Sequence, residues 1–211
     1  MAYSSSKLDV QLSKTLSYLL RHGAKEKHLS MDKNGFCKLN DVIKELNKML
    51  PKQQVTPDRI SQIVKDCSKQ RFKLETFNGV VMIRANQGHS MQEVQNIELK
   101  EIMFFDAGSS GKIIHGTTLK AWESIRKSGL NKMKRNHIHM AKGEFGDAKS
   151  GARFSSEVII TIDGNGAIKD GIKFFESDNG VILSPGNSNG VIETKYFLNV
   201  YNRKSKQQIS P

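Results

Sequence analysis

Arginine and histidine are the residues of this sequence that stand in patterns suited to chemistry. Arg21-His22 joins a permanently charged planar fork to an imidazole, a pair able to bind a phosphate and to pass a proton. Arg71 and Arg84 flank two apolar runs. Arg153 follows Ser150-Gly151-Ala152, where glycine lets backbone N–H groups approach a ligand and the guanidinium offers two parallel donors to a phosphate. In His115-Gly116-Thr117 the glycine permits close backbone approach and the threonine adds a hydroxyl, as a nucleotide pocket requires. His137 and His139 stand two apart, so on a strand both rings face one side. With His115 they form a set that could hold zinc, line a nucleotide, or pack as core histidines. Zinc is the weaker of these, because no carboxylate stands nearby as a general base and no familiar zinc spacing is present. No phosphate-binding P-loop, no Gly-x-Gly-x-x-Gly opening a helix and no Gly-x-Ser-x-Gly elbow occurs.

These residues need elements to hold them. Leu8, Leu12, Leu16, Leu19 and Leu20 recur at helical spacing, with Ser6 as cap, Asp9 three residues later and Gly23 just past the end. Arg21-His22 then falls in the last turn, where basic residues also favour the helix dipole without any further role. A second helix begins after Asn40 and carries Ile43, Leu46, Met49 and Leu50 on one side; a third has Thr56 as cap and Pro57 at its first position. Alternation from Arg71 to Glu75, then Asn78-Gly79, then Val80 to Ile83 predicts a β-hairpin closed by a type I′ turn. Three helices followed by a hairpin make a winged helix.

Beyond Ser90 a polar connector, Gln92 to Glu98, leads into short strands. These are Ile113 to His115, His137 to Ala141, Val158 to Ile162, Ile172 to Phe175, Val181 to Leu183 and Tyr196 to Val200, with one sizeable helix capped by Thr118 and ended by Gly129. The fold class expected is therefore α+β. Its parts are a first domain over residues 1–92, a strand-rich second over 93–201 and a polar tail over 202–211.

Composition narrows the partners. The formal charge is +12, and residues 1–90 hold 16 Lys+Arg against 8 Asp+Glu while residues 91–211 hold 17 against 13. The field is concentrated in the first half, and an anionic polymer is its natural partner. Cys37 and Cys67 form no Cys-x-x-Cys pair, which argues against a disulfide framework or a cysteine zinc site. No stretch approaches the roughly 18 apolar residues of a membrane helix, and the N-terminus lacks a signal-peptide core, so a soluble intracellular protein, cytoplasmic or nuclear, is expected.

Seven segments occur together in one order: Leu12-Ser13-Lys14-Thr15-Leu16-Ser17-Tyr18-Leu19-Leu20-Arg21-His22; Lys69-Gln70-Arg71-Phe72; Ile83-Arg84-Ala85-Asn86-Gln87-Gly88-His89-Ser90; His115-Gly116-Thr117; Arg135-Asn136-His137-Ile138-His139; Ser150-Gly151-Ala152-Arg153; and Ser177-Asp178-Asn179-Gly180-Val181-Ile182-Leu183. Over roughly Leu8 to Val200 the chain resembles the NAD-dependent RNA (tRNA) 2′-phosphotransferase family. It departs from the family at Ala152, where Met is usual, and at Met140, where Leu is usual. The resemblance implies an N-terminal winged-helix lobe, a C-terminal lobe of ADP-ribosyltransferase type, and an active site between them. It assigns Arg21, His22, Arg71 and Arg153 to the RNA 2′-phosphate and the reacting centre. His115, Gly116, Thr117, Ser150, Gly151 and one or both of His137 and His139 would bind NAD, while Asn86, Gln87 and His89 would support the cleft.

The implied reaction uses NAD as co-substrate and no metal, on an RNA carrying a 2′-phosphate, tRNA foremost, with the protein acting as a monomer. The RNA 2′-phosphate displaces nicotinamide to give an ADP-ribosylated 2′-phospho-RNA; the ribose 2″-hydroxyl then attacks phosphorus, giving ADP-ribose 1″,2″-cyclic phosphate and 2′-hydroxyl RNA. The first nucleophile is already anionic at neutral pH, its second pKa being about 6, and needs no base. That agrees with Asn179-Gly180-Val181 standing where other ADP-ribosyltransferases often carry a glutamate. Two rival readings are a DNA-binding winged-helix regulator with a ligand-sensing second domain, and a three-histidine zinc hydrolase.

Overall fold

A computed structural model describes residues 7–94, 97–106, 112–143 and 155–209. The chain is α+β and divides into two compact units, Met1–Glu98 and Leu99–Pro211.

In the first unit, α1 (Lys7–Tyr18) runs into a π-helical turn, Leu19–Gly23. After it come β1 (Cys37–Lys38), α2 (Leu39–Met49), α3 (Pro57–Asp66), β2 (Phe72–Phe77) and β3 (Val80–Ala85). The strands form one antiparallel sheet in the order β1-β3-β2. Leu12, Leu16, Leu19 and Leu20 are fully buried and meet Val42, Leu46, Ile60 and Ile83 in one core. Truncating any one of these leucines to alanine should cost about 2–5 kcal/mol. Leu8, expected on the same face, is half exposed because it precedes the part of α1 that α2 and α3 cover. Thr56 caps α3 as expected, its hydroxyl accepting from Arg59 N at 3.3 Å. Asn78 and Gly79 both have positive φ, 48° and 77°, as a type I′ hairpin turn demands.

Among the described residues of the second unit, seven strands form one antiparallel sheet in the order β12-β8-β5-β7-β10-β9-β4. Their ranges are β4 (Lys100–Ile102), β5 (Ile113–Thr117), β7 (Ile138–Lys142), β8 (Val158–Ile162), β9 (Phe174–Glu176), β10 (Val181–Ser184) and β12 (Phe197–Asn202). The pair β6 (Leu130–Asn131) and β11 (Val191–Ile192) stands apart from the sheet. Among the described residues the α-helices of this unit are α4 (Leu119–Ser128) and the short α5 (Gly164–Lys169).

The pleat sorts this sheet into two faces. Ile113, Ile138, Met140, Val158, Ile160 and Ile162 belong to a large cluster with Trp122 of α4 and Ala167 of α5. The alternate residues Ile114, Ala141 and Ile159 form a small cluster with Tyr201, and among the described residues it contains no helical member. Polar residues after Asn202 fold back on the last strand, with Asn202 N donating to Gln207 O and Ile209 N to Val200 O.

Candidate functional site

Arg21 and His22 sit in the π-helical turn that ends the first helix. Such turns are rare and recur at functional sites, because the widened ladder re-aims the side chains that follow it. Three contacts fix the pair. Ser90 N donates to the Arg21 carbonyl at 3.0 Å, and the Ser90 hydroxyl lies 2.9 Å from His22 Nδ1. The third is steric: Gly88 has φ 92°, and a Cβ built on it would stand 3.3 Å from Arg21 Nε, so the arginine lies across a residue without a side chain.

Arg71 leaves the loop between α3 and β2 just after Gln70, whose φ is 44°. Asn86 closes this loop, its N–H donating to Arg71 O at 2.9 Å and its side-chain amide to Gln70 O at 2.7 Å. The segment 86–90 therefore anchors both arginines, one at each end. Gln87 and His89 are buried within it. The Arg71 guanidinium donates from Nη1 to Cys67 Sγ at 3.2 Å.

Arg21 and Arg71 line one cavity of about 470 Å³, walled by α1, α3 and the loop that follows α3. Lys14 and Arg59 add two further cations, against the carboxylates of Asp9 and Asp66. Ser13, Ser17 and Ser68 line the same space. Arg59 is held by Asp9, Nη2 to Oδ1 at 3.1 Å. The excess of cation over acid and the wealth of donors suit an anion. None of Lys14, Arg59, Ser13 or Ser17 stood out from sequence as a site residue, although Asp9, Ser13, Ser17 and Arg21 recur at the four-residue spacing that marks one helix face.

Arg84 serves the core instead. It is fully buried, pairs with Glu98 at 2.9 Å and lies over the Phe36 ring at 4.8 Å. Lys73 first, and Arg84 after it, hold the Glu98 carboxyl below its ordinary pKa.

In the second unit His115, Gly116 and Thr117 complete β5, and His139 lies within β7. The pleat separates them: His115 shares its side of β5 with Ile113, while Gly116 and His139 lie on the side of Ile114 and Ala141. His137 has the parity of His139 and meets the Phe175 ring edge-on at 6.2 Å. His115 donates from Nδ1 to His139 O at 2.9 Å, since a carbonyl can only accept. Burial pushes the pKa of His115 down, against the pull of that carbonyl. His137 is pushed down as well, by burial and then by Lys132. Both rings are thus neutral at physiological pH, and the three histidines do not share one face. Among the described residues no group of three His, Cys, Asp or Glu gathers to hold a metal.

Near the turn into β10, the Ser177 hydroxyl donates to the buried Asn179 Oδ1 at 2.8 Å, an amide where a carboxylate would have had to be desolvated. Ser150, Gly151, Ala152 and Arg153 lie outside the described residues.

Residues 7–186 match the sequence model of the RNA 2′-phosphotransferase, Tpt1/KptA family. The chain is 42% identical over 193 residues to tRNA 2′-phosphotransferase 1 of Danio rerio, covering 90% of this chain and 84% of that protein. With tRNA 2′-phosphotransferase 1 of Homo sapiens it shares 43% over 194 residues, 90% of this chain and 74% of the other. With the tRNA 2′-phosphotransferase of Saccharomyces cerevisiae it shares 39% over 185 residues, 84% and 79% respectively.

Proposed function

The chain belongs to the RNA 2′-phosphotransferase, Tpt1/KptA family, and from that premise we propose that it removes an internal 2′-phosphate from RNA, tRNA foremost, with NAD as the second substrate. The observation that carries this reading is the cavity of the first unit, where the guanidiniums of Arg21 and Arg71 line one polar space.

The residues supply what the reaction needs. A 2′-phosphate is close to a dianion at neutral pH, its second pKa being about 6. Arg21 and Arg71 bind it and hold its oxygens while charge moves among them, with Arg153 as a third guanidinium assigned by its sequence motif. When bound, NAD supplies the ribosyl carbon from which the phosphate displaces nicotinamide and the 2″-hydroxyl that then takes up the phosphorus. Deprotonating that hydroxyl falls to His22, whose ring Ser90 orients through Nδ1, directing proton exchange to Nε2.

NAD fits the second sheet face on the chemistry of its residues. Gly116 puts no side chain beside His139, and Ala141, two residues further along β7, is small. The neutral His137, packed against Phe175, offers a ring without a positive charge that would repel a pyridinium. Thr117, which ends β5 on the side of His115, and Ser150 and Gly151, by their sequence motif, complete the residues assigned to NAD. His115 acts through the strand it ties to His139. In the same reading, the helix, strand, two-helix and hairpin order of the first unit is a winged helix used as a phosphate-reading wall. The second unit is then an ADP-ribosyltransferase-like lobe.

A short RNA with one internal 2′-phosphate tests the proposal. The phosphate should be lost only when NAD is added, with nicotinamide released in equal amount and no effect of EDTA. Loss without NAD, or retention with it, refutes the reading.

A further inference from the structure

The cavity that holds Arg21 and Arg71 is longer than one phosphate requires. Asp9, Ser13, Ser17 and Arg21 line it at four-residue intervals, so it follows α1 for about 18 Å at about 1.5 Å per residue. Its opposite wall is α3, which presents Arg59, Gln62 and Asp66. A stacked nucleic-acid strand advances about 3.4 Å per phosphate, so the groove has room for a few nucleotides beyond the one at Arg21.

We propose that the outer part of this groove, centred on Arg59, binds the RNA strand next to the 2′-phosphorylated nucleotide and makes the enzyme prefer longer RNAs over a minimal dinucleotide. The inference rests on the reading that places the 2′-phosphate at Arg21 and Arg71. Three features point to a strand of RNA. Arg59 is half-buried and fixed by Asp9 at 3.1 Å, which orients its guanidinium without removing the groove's net positive charge. Ser13, Ser17 and Gln62 give short polar side chains that can donate to phosphate oxygens or to a 2′-hydroxyl. Val10, which is exposed, provides an apolar wall on which a base can lie. The groove is continuous with the arginine pair, so a strand entering it is led toward the reacting end.

Two substitutions with opposite expected signs make the test independent of misfolding. Arg59→Ala removes the outer cation. Asp66→Asn removes an acid in the last turn of α3, where a negative charge opposes the helix dipole, so the fold should not suffer. Fluorescence anisotropy measures binding of an eight-nucleotide RNA and a dinucleotide, each with and without a 2′-phosphate, at two salt concentrations. In Arg59→Ala the eight-mer to dinucleotide affinity ratio should fall about tenfold, and the salt slope for the eight-mer should flatten by about 0.7. Asp66→Asn should tighten the eight-mer about twofold to threefold. An unchanged ratio in Arg59→Ala, weaker binding in Asp66→Asn, or displacement of the eight-mer by a poly-glutamate peptide as effectively as by RNA overturns the proposal. Equal affinity with and without the 2′-phosphate, with the Arg59 effect intact, would instead refute the assignment of Arg21 and Arg71 and leave the strand groove standing.

Discussion

The cavity of the first unit and the sheet face of the second that carries His137 and His139 treat charge in opposite ways. Around the cavity, Arg21, Arg59 and Arg71 are cations held by hydrogen bonds, a glycine contact and an ion pair, and Lys14 lines the same space. In the second unit burial drives His115 and His137, on opposite faces of the sheet, toward their neutral forms, and the small cluster on the His137 side is apolar. A phosphate dianion is best met by charges that are already paid in solvation terms, because fully burying them would cost several kcal/mol each. A ligand carrying a cationic ring is best met by groups that have given up their charge. Under the proposed function the two reactants carry opposite local charge, and the two units offer the two electrostatic settings that would suit them.

The largest expected effect lies on the cationic side. Replacing Arg71 with alanine should lower kcat/KM for the 2′-phosphorylated RNA by about 10² to 10³, the usual loss on removing one preorganised donor to developing charge. Arg71→Lys should recover little of it, since an ammonium cannot present the planar fork. The melting temperature should move little in either variant, because Arg71 lies at the cavity wall and not in the leucine core. Single-turnover rates beside thermal melts separate the two quantities. A rate within threefold of the parent in Arg71→Ala would remove the cavity as the phosphate site and with it the contrast between the units.

How far this contrast was legible in the sequence differs between its two sides. Arg21, His22 and Arg71 stand out by residue type, and the elements carrying them follow from leucine spacing, the Thr56-Pro57 cap and the Asn78-Gly79 turn. The π-helical turn does not, since the spacing of Leu16, Leu19 and Leu20 serves an α-helix equally well. The stripe Asp9, Ser13, Ser17 was hidden because a polar helix face reads as solvated unless another element is known to wall it. The knot of Asn86 and Ser90 was hidden because its partners lie far away in the chain. In the second unit β1-like brevity concealed β6 and β11, two residues each being too short for alternation. Helix α5 was missed for a packing reason. Glycines mark it as a loop, yet a Cβ at Gly164 would come within 2.4 Å of Ile113 Cδ1, so the glycine is there to let the helix sit on the sheet. The division of the histidines between faces required the register of β5 on β7, which composition does not supply.

A smaller effect is expected from the neutral side. An unfolded histidine titrates at about 6.5, while His115 and His137 titrate lower in the folded unit. Between these values the unfolded state binds more protons, so stability rises with pH. The contribution is fully present above about pH 6.5 and is lost as the pH falls toward the folded values. Hydrogen exchange of the β5 and β7 amides should therefore accelerate between pH 7.5 and pH 5.5, after correction for intrinsic rates. His115→Asn, which keeps a donor to His139 O and cannot titrate, should flatten the trend. A slope unchanged by that substitution would mean that His115 is not held neutral by its surroundings.

The smallest effect separates two thiols that sequence alone cannot rank. Cys37 is fully buried, and burial, followed by the charges of Asp32 and Asp41, pushes its pKa up to about 12. It should be inert, because the thiolate is the reactive form. Cys67 is half-buried at the cavity wall and accepts from Arg71 Nη1 at 3.2 Å. A sulfur acceptor is weak, so it steadies the guanidinium without binding it strongly. Cys67→Ser, with a better acceptor on a shorter bond, should change kcat less than about threefold and leave KM for NAD unaltered. Alkylation by iodoacetamide at neutral pH should map to Cys67 alone and slow the reaction more than the serine does, because it places bulk where Arg71 must reach the phosphate. Labelling of Cys37, or full activity after complete labelling of Cys67, would show that the wall behind Arg71 does not govern its position.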